Sequence, residues 1–555
     1  MLHRRLRWTL PLGLLLQAHA PTPVAAQRLV PVDSTQQCRG ERIASISYRV
    51  IRRPLLSERL GAVATLVDGA LGILQPPTRA RVLARYLLVR EGGVCVEQAR
   101  QESERLLRAQ PFINDAAIRA IPVAPGMVHL SVESVDEYVI YLEGWGVKGV
   151  PAGLEIGSGN VAGSAVSMRG LVEVGRGQEF GWGLRYTDHQ FLGRPMILDA
   201  RIRSRPLSDV RSVSLAKPWF TNLQRDNWQL VLSDIKGLYT FRDPVVRDIS
   251  IDYRRQVAAA RWERRLGDLG APLTLGAFGD FEVADGVRTL LIRARPIAVP
   301  TPAPLQRYGR YEAARVGVTM GVRRIRFRPI RGLGALSATE DVPIGIDAVG
   351  GVQVAVPKLL PVPSDRMTML AVSGGVGGAS SLLRWSFKGE WVSARRDLFP
   401  AQTNLEGRLG WSGQLTERHR TRLVVHGATA RHVRFPLQHT LRDDIDGLLG
   451  YRTTNLGGGS RVVAAFEERH RLPIPGQLLE VAVSALAQTG RLWAEDTPYG
   501  TTTPWYQAVG GAVMISYPAG ARQALRIEYG RPLNAPAGLQ RYELRVVYTD
   551  VTGRF

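Results

Sequence analysis

The sequence predicts a mainly β protein: a transmembrane antiparallel β-barrel preceded by one small α+β domain. Three observations predict it. The last 419 residues alternate apolar with polar, segment after segment, as far as Phe555. They follow a secretion signal. Beyond the first 26 residues no apolar run is long enough for a spanning helix, and in lipid only a helix or a closed barrel satisfies its own backbone. A soluble β-sandwich also alternates, but sandwiches rarely run this long as one domain.

Each element follows in order. Arg4, Arg5 and Arg7 make a basic start, and Trp8 to Leu16 a short apolar stretch, the pattern of a signal peptide. Val24, Ala25 and Ala26 set a cut ahead of Gln27, so residues 1–26 are removed. The expected location is a bacterial outer membrane, with the N-terminal domain in the periplasm. Residues 27–40 form an extension. Its Cys38 follows Thr35, Gln36 and Gln37, which does not suit a lipid-modified cysteine. The chain's two cysteines, Cys38 and Cys95, either form a disulfide in the oxidising periplasm or stay as two buried thiols. A loop of that size would stabilise by ~4 kcal/mol in the chain-entropy model.

Residues 41–136 read as β, α, α, β, β. Ile43, Ile46 and Tyr48 mark a first strand, and residues 56–74 a helical insertion rich in Leu, Ala and Val. Thr78 is a candidate cap for a helix carrying Val82, Tyr86 and Leu87, ended by Glu91, Gly92 and Gly93. A second helix runs from Val96 to Ala109. Phe112 to Ile121 and Met127 to Val135 close the domain, with Leu130 taken as an edge position.

Residues 137–555 carry the barrel pattern. Trp228, Leu230 and Leu232 oppose Asn227, Gln229 and Ser233; Ile249, Ile251 and Tyr253 oppose Ser250, Asp252 and Arg254. Leu525, Ile527 and Tyr529 oppose Arg526 and Glu528. A period of two sends one set to lipid and the other to the lumen. Net charge is +23, mostly from arginine. In a soluble protein that would suggest nucleic acid. Here Arg201, Arg203 and Arg205, and Arg324, Arg326 and Arg328, sit at alternate strand positions expected to line the lumen, so no nucleic-acid partner follows. Either the lumen favours anions and acidic segments, or its arginines pair with lumenal Asp and Glu.

The N-terminal order resembles a POTRA domain, the periplasmic polypeptide-transport-associated module. The resemblance rests on Arg85 to Gly93, Leu106 to Ala116 and Val132 to Tyr138. It implies binding of extended segments by strand addition at a sheet edge. The barrel resembles the BamA/TamA-type outer-membrane assembly superfamily, also called the surface-antigen family. This rests on Glu340 to Gly345, Ala508 to Pro518, Leu525 to Tyr529 and the terminal Gly553 and Phe555, which resemble a strand signal read by assembly machinery. The resemblance implies sixteen strands, close to 26 residues per strand and connection.

The strongest local likeness is Gly447 to Arg452, then Gly457 to Ser460 and Phe466 to His470. In that superfamily a sixth loop folds into the lumen on a Val/Leu-Arg-Gly-Tyr tip, whose Arg meets an Asp of a Phe-x-Asp-x-Gly strand. Here the Arg position is Leu449, followed by Gly450, Tyr451 and Arg452. The Asp position is Gln488, two residues before Gly490. Losing both partners together is physically coherent, because an unpaired buried charge costs several kcal/mol and a joint replacement can be nearly neutral. Arg452 either reaches Glu467 or Glu468 on the next strand, which also carries Arg469, or packing alone holds the loop. At the end of the chain, Tyr542, Leu544, Val546 and Tyr548 share one parity while Val551 and Phe555 take the other, and a bulge near Thr549 would reconcile them.

No metal spacing, nucleophile elbow or cofactor motif stands out, so neither enzyme activity nor a cofactor is expected. The resemblance implies an assembly or translocation factor acting on unfolded outer-membrane or exported polypeptides. Membrane lipid would surround it, and accessory periplasmic lipoproteins are further partners to consider. A dedicated secretion pore and a passive arginine-lined channel are the alternatives.

Overall fold

The computed structural model describes residues 5–8, 29, 31–52 and 76–550, except 148–149, 175–179, 206–207, 244–248, 269, 293–294, 298–302, 357–364, 395–400, 443–445, 453, 475–477, 537–538 and 540. The insertion at 56–74, the signal cleavage region, and Gly553 and Phe555 lie outside the described residues.

The α+β domain has three strands: β1 (Arg42–Ile51), β2 (Ile113–Ala124) and β3 (Met127–Asp136). β3 is central, parallel to β1 and antiparallel to β2. Between β1 and β2 come α1 (Ala80–Ala84) and α2 (Glu97–Arg108). The predicted order therefore stands. Ile43, Leu83, Tyr86, Leu107, Phe112, Ile118 and Leu130 share one buried core. In α2, Glu97 in the first turn and Arg105 and Arg108 in the last suit the helix dipole. Cys38 and Cys95 are joined by a disulfide.

Three local expectations need correction. α1 ends at Ala84, far short of Gly92, and its cap is Arg79. Thr78 is instead drawn into a tertiary contact, its backbone N–H donating to Asp136 Oδ2 at 2.9 Å. Leu130 lies on the central strand and is fully buried. The true edges are β1 and β2, and α2 closes the second. Glu104 accepts from Ile118 N at 2.7 Å, while Arg100 and Arg108 donate to the carbonyls of Ile118 and Ala116.

The larger sheet is antiparallel throughout. Its strands are β4 (Ile140–Val147), β5 (Val150–Ser158), β6 (Val166–Val174), β7 (Phe180–Asp188), β8 (Ile197–Arg205), β9 (Ser208–Lys217), β10 (Asp226–Phe241), β11 (Ile249–Arg265), β12 (Leu273–Ile292) and β13 (Tyr311–Arg331). They continue as β14 (Thr339–Ala355), β15 (Asp365–Gly377), β16 (Ser381–Ala394), β17 (Gln402–Gln414), β18 (His419–Arg431), β19 (Ser460–Arg471), β20 (Glu480–Trp493), β21 (Tyr506–Ser516), β22 (Gln523–Pro532) and β23 (Glu543–Asp550). Each pairs with the next. Residues 5–8 lie along Gly144–Val147 of β4, and a three-residue strand at Arg295–Ile297 extends the β12 hairpin. The sheet thus has twenty principal strands among the described residues, not sixteen. An even division of the chain misses them because six short strands fit within residues 140–217.

The sheet curls, since segments between strands pack across one face onto strands many places away. That concave face carries most of the charge, and the convex face is largely apolar. On β13, Val318 and Met320 are 64% and 71% exposed, whereas Arg315 and Thr319 are 5% and 1% exposed. This inverts a water-soluble sheet, which buries its apolar face, and excludes the sandwich. Arg203 and Arg205 are concave and pair with Glu173. Arg324, Arg326 and Arg328 share the convex parity of Val318 and Met320 and are exposed, so they do not line the concave face. Ile249 and Ile251 also reverse expectation, being buried with Phe241, Leu305 and Tyr308. The opposing Arg254 pairs with Asp234 at the surface. Alternation separates two faces without saying which one meets lipid.

The α+β domain sits against turns at one end of the sheet. Arg522 Nη1 donates to the carbonyls of Arg108, Gln110 and Ile113 at 3.0–3.2 Å, closing the C-terminus of α2. Arg108 grips Asp341 through two bonds of 2.9 and 3.0 Å. Asn160 donates to Thr78 Oγ1, and Tyr86 to the His189 carbonyl. Burial at this junction pushes the Asp136 carboxyl up to about 6, only partly offset by Thr78. Its folded pKa is raised, so the protonated form is favoured in the docked domain. Stabilisation of about 3 kcal/mol should be present below pH ~4 and lost as pH rises through 6. Amide exchange of the domain between pH 4 and 7.5 checks this; an unchanged slope in Asp136→Asn would remove Asp136 as its source.

Candidate functional site

The segment between β18 and β19 folds onto the concave face, with Gly447 to Arg452 at its tip. The local sequence explains the shape. Gly450 has φ +91°, a conformation that side chains resist, and a Cβ there would meet Pro532 at 2.7 Å. Leu448 and Tyr451 are buried with Leu441, Leu456, Val463, Leu492, Tyr506 and Ala508.

Each predicted residue has a definite place. Leu449 is buried over Gly530, where any Cβ would collide with it at 2.2 Å. Its backbone N–H donates to Gln488 Oε1 at 2.6 Å. The neutral amide at the usual Asp position thus reads the backbone of the residue at the usual Arg position. Gly490 leaves room for Leu441, whose Cδ2 would lie 3.1 Å from an added Cβ. Tyr451 Oη donates to the Gln507 carbonyl at 3.1 Å, and its ring lies 5.4 Å from that of Tyr506.

Arg452 departs from expectation. Its partner is Glu543 on β23, at 3.9 Å, not Glu467 or Glu468. Glu543 also accepts from Gly450 N at 3.0 Å. Sequence reasoning missed Glu543, and no local signal marks it beyond concave parity between Tyr542 and Leu544. The tip therefore holds β20, β21, β22 and β23 together.

Glu467 belongs to a separate network. It accepts from Arg526 and Ser484, both at 2.8 Å, and lies 3.8 Å from Arg422. Glu528 joins Arg526 to Arg545. Glu468 turns instead to His419, at 3.6 Å. Arg469 donates to three successive carbonyls, Gly332 and Gly334 at 2.8 Å and Leu333 at 2.9 Å. Residues 332–338 join β13 to β14, and no sequence motif marks them. Ala335, Leu336 and Ala338 are buried against Ala482, Met514 and Ala524.

No family profile and no curated protein matches this chain. Among solved structures it is similar to BamA from Haemophilus ducreyi lacking POTRA domains 1–3, at 12% identity over 92% of this chain and 84% of that one, with a TM-score of 0.40. CdiB from Escherichia coli matches at 12% identity over 92% and 75%, with a TM-score of 0.42. CdiB from Acinetobacter baumannii matches at 11% identity over 96% and 95%, with a TM-score of 0.39.

Replacing Gln488 with Leu should destabilise the tip by about 1–3 kcal/mol, the cost of an unsatisfied buried N–H. Pairing Leu449→Arg with Gln488→Asp should be much closer to neutral than either change alone. Thermal unfolding in detergent checks both, and additive losses in the double variant would refute the coupling.

Proposed function

We propose that this chain is an outer-membrane assembly or translocation factor that captures unfolded polypeptides with its α+β domain and passes them to the last strands of a lipid-embedded barrel. The convex apolar face suits lipid, and a barrel satisfies backbone groups there. The domain end would face the periplasm. Client folding would supply the driving force.

The observation that carries this reading is the division of labour between the two ends. At one, Ser47–Ile51 of β1 pair only with β3 among the described residues, leaving an edge for strand addition. At the other, an inserted tip clasps the final strand through Glu543. A passive channel needs neither device. Its wide wet lumen is also reduced by two inserted segments and by arginines already paired, as at Glu173, Asp280 and Glu467.

Photo-crosslinking in living cells tests it, with one probe at Tyr548 on the convex face of β23 and one at Arg49 on β1. Adducts with nascent outer-membrane proteins at both positions are expected. A single exported adduct would point to a dedicated secretor, and clean probes with no client at either site would sink the proposal.

A further inference from the structure

The β13–β14 hairpin outruns its neighbours. β12 pairs with β13 only as far as Val322, and β15 leaves β14 at Gly345, yet β13 and β14 stay paired down to Arg331 and Thr339. Beyond both neighbours, residues 326–331 and 339–344 make a two-stranded ribbon of about 20 Å. Its tip, residues 332–338, crosses the concave side to β19–β22. Ile330, Leu333 and Val342 pack on Leu382 of β16, and polar contacts tie down the rest. Arg469 takes the three tip carbonyls, and Arg420 reaches the Arg331 carbonyl at 3.4 Å. Asn222 donates to the Ile325 carbonyl, Arg105 lies over Phe327, and Arg108 grips Asp341 from the α+β domain.

The docking chemistry is unusual. Arg469 is 4% exposed and has no carboxylate partner within salt-bridge distance among the described residues. A buried guanidinium would ordinarily be matched by a charge, but this one is matched by main-chain oxygens. Such contacts select a turned backbone and not a side-chain sequence. Ala482, Met514 and Ala524 add a shallow apolar floor that fits small or flexible residues. The occupant, Gly332 to Ala338, has no charged side chain. Glu340 organises it internally by accepting from Gly334 N and Ala335 N.

We propose that this wall of β19–β22 is a docking site for polypeptide backbone, and that the 332–338 turn is its resident, displaceable occupant. The incoming partner would be an apolar, glycine-containing turn of an unfolded client, so the inference rests on the function proposed above. Asp341 would link the two events. The residue that tethers the strap also contacts the domain that captures the client.

The test places a diazirine side chain at Met514 of the full-length protein in phospholipid vesicles. Without additions, the adduct should map to residues 332–338. A synthetic peptide of residues 330–340 should compete for that label in a saturable way. Asp341→Asn loosens the strap without touching the wall and should raise peptide labelling at sub-saturating concentration about tenfold. Arg469→Gln should abolish it. A urea-denatured outer-membrane barrel protein, followed at Met514 and at Tyr548, then separates the two ideas. Labelling at Tyr548 with an unchanged strap adduct at Met514, in wild type and Asp341→Asn alike, overturns the docking site and leaves the function standing. Competition by the peptide without labelling by the denatured protein at either position supports a backbone site but overturns its use by clients.

Discussion

A sheet with a largely apolar convex face must satisfy most of its polar groups from the concave side. The rest of this structure depends on that constraint. Backbone groups are met by the ladder, but the many concave arginines have no such default. They are matched by carboxylates on nearby strands, as Arg315 is by Asp280 and Arg526 by Glu467, or by main-chain oxygens, as Arg469 and Arg522 are. The second solution draws peptide segments onto the concave face. The large positive charge of the chain and its two inward-folded segments are then aspects of one requirement.

The last strands show how the requirement is divided. Toward the end remote from the α+β domain, the loop tip covers β20–β23, satisfied by Gln488, Glu543 and Gln507. Toward the domain, the 332–338 turn covers β20–β22 under Arg469. Between them lies the charged belt of Glu467, Arg526, Glu528 and Arg545. Removing one member of such a belt strands a buried charge, which costs more than removing a matched pair. The belt therefore resists piecemeal change, while the two peptide segments are held mainly by backbone and apolar contacts, with Glu543 and Asp341 as their charged tethers.

Much of this was legible in the sequence, for reasons that also mark where legibility stops. Alternation reports two faces because side chains alternate strictly along a strand. It places Arg201, Arg203 and Arg205 on the polar side, yet gives no sign by itself, so Arg324, Arg326, Arg328, Ile249 and Ile251 were assigned to the wrong faces. Strand number depends on turn length, which varies widely between β4–β9 and the rest. The loop tip was readable because Leu449, Gly450, Tyr451 and Gln488 lie in the compact stretches that carry the resemblance. Glu543 and the 332–338 turn were not, because their partners are remote in sequence and their own residues are ordinary. A run of Gly, Ala, Leu and Ser between two long strands reads as a plain turn until its docking surface is seen.

The joint loss of the usual Arg and Asp also has a structural consequence. An ion pair between a loop tip and one strand fixes a single point. The arrangement here exchanges that point for a spread of weaker contacts on four strands, with its only charge, Arg452, directed at the terminal strand. Glu543 accepts from Gly450 N and pairs with Arg452, so moving β23 away from β22 would pull on the tip. Separation of the last strand and release of the loop would break the same contacts: the Gly450 N–H to Glu543 hydrogen bond and the Arg452–Glu543 pair. The contacts that hold the final strand are thereby spread over several residues of the loop tip.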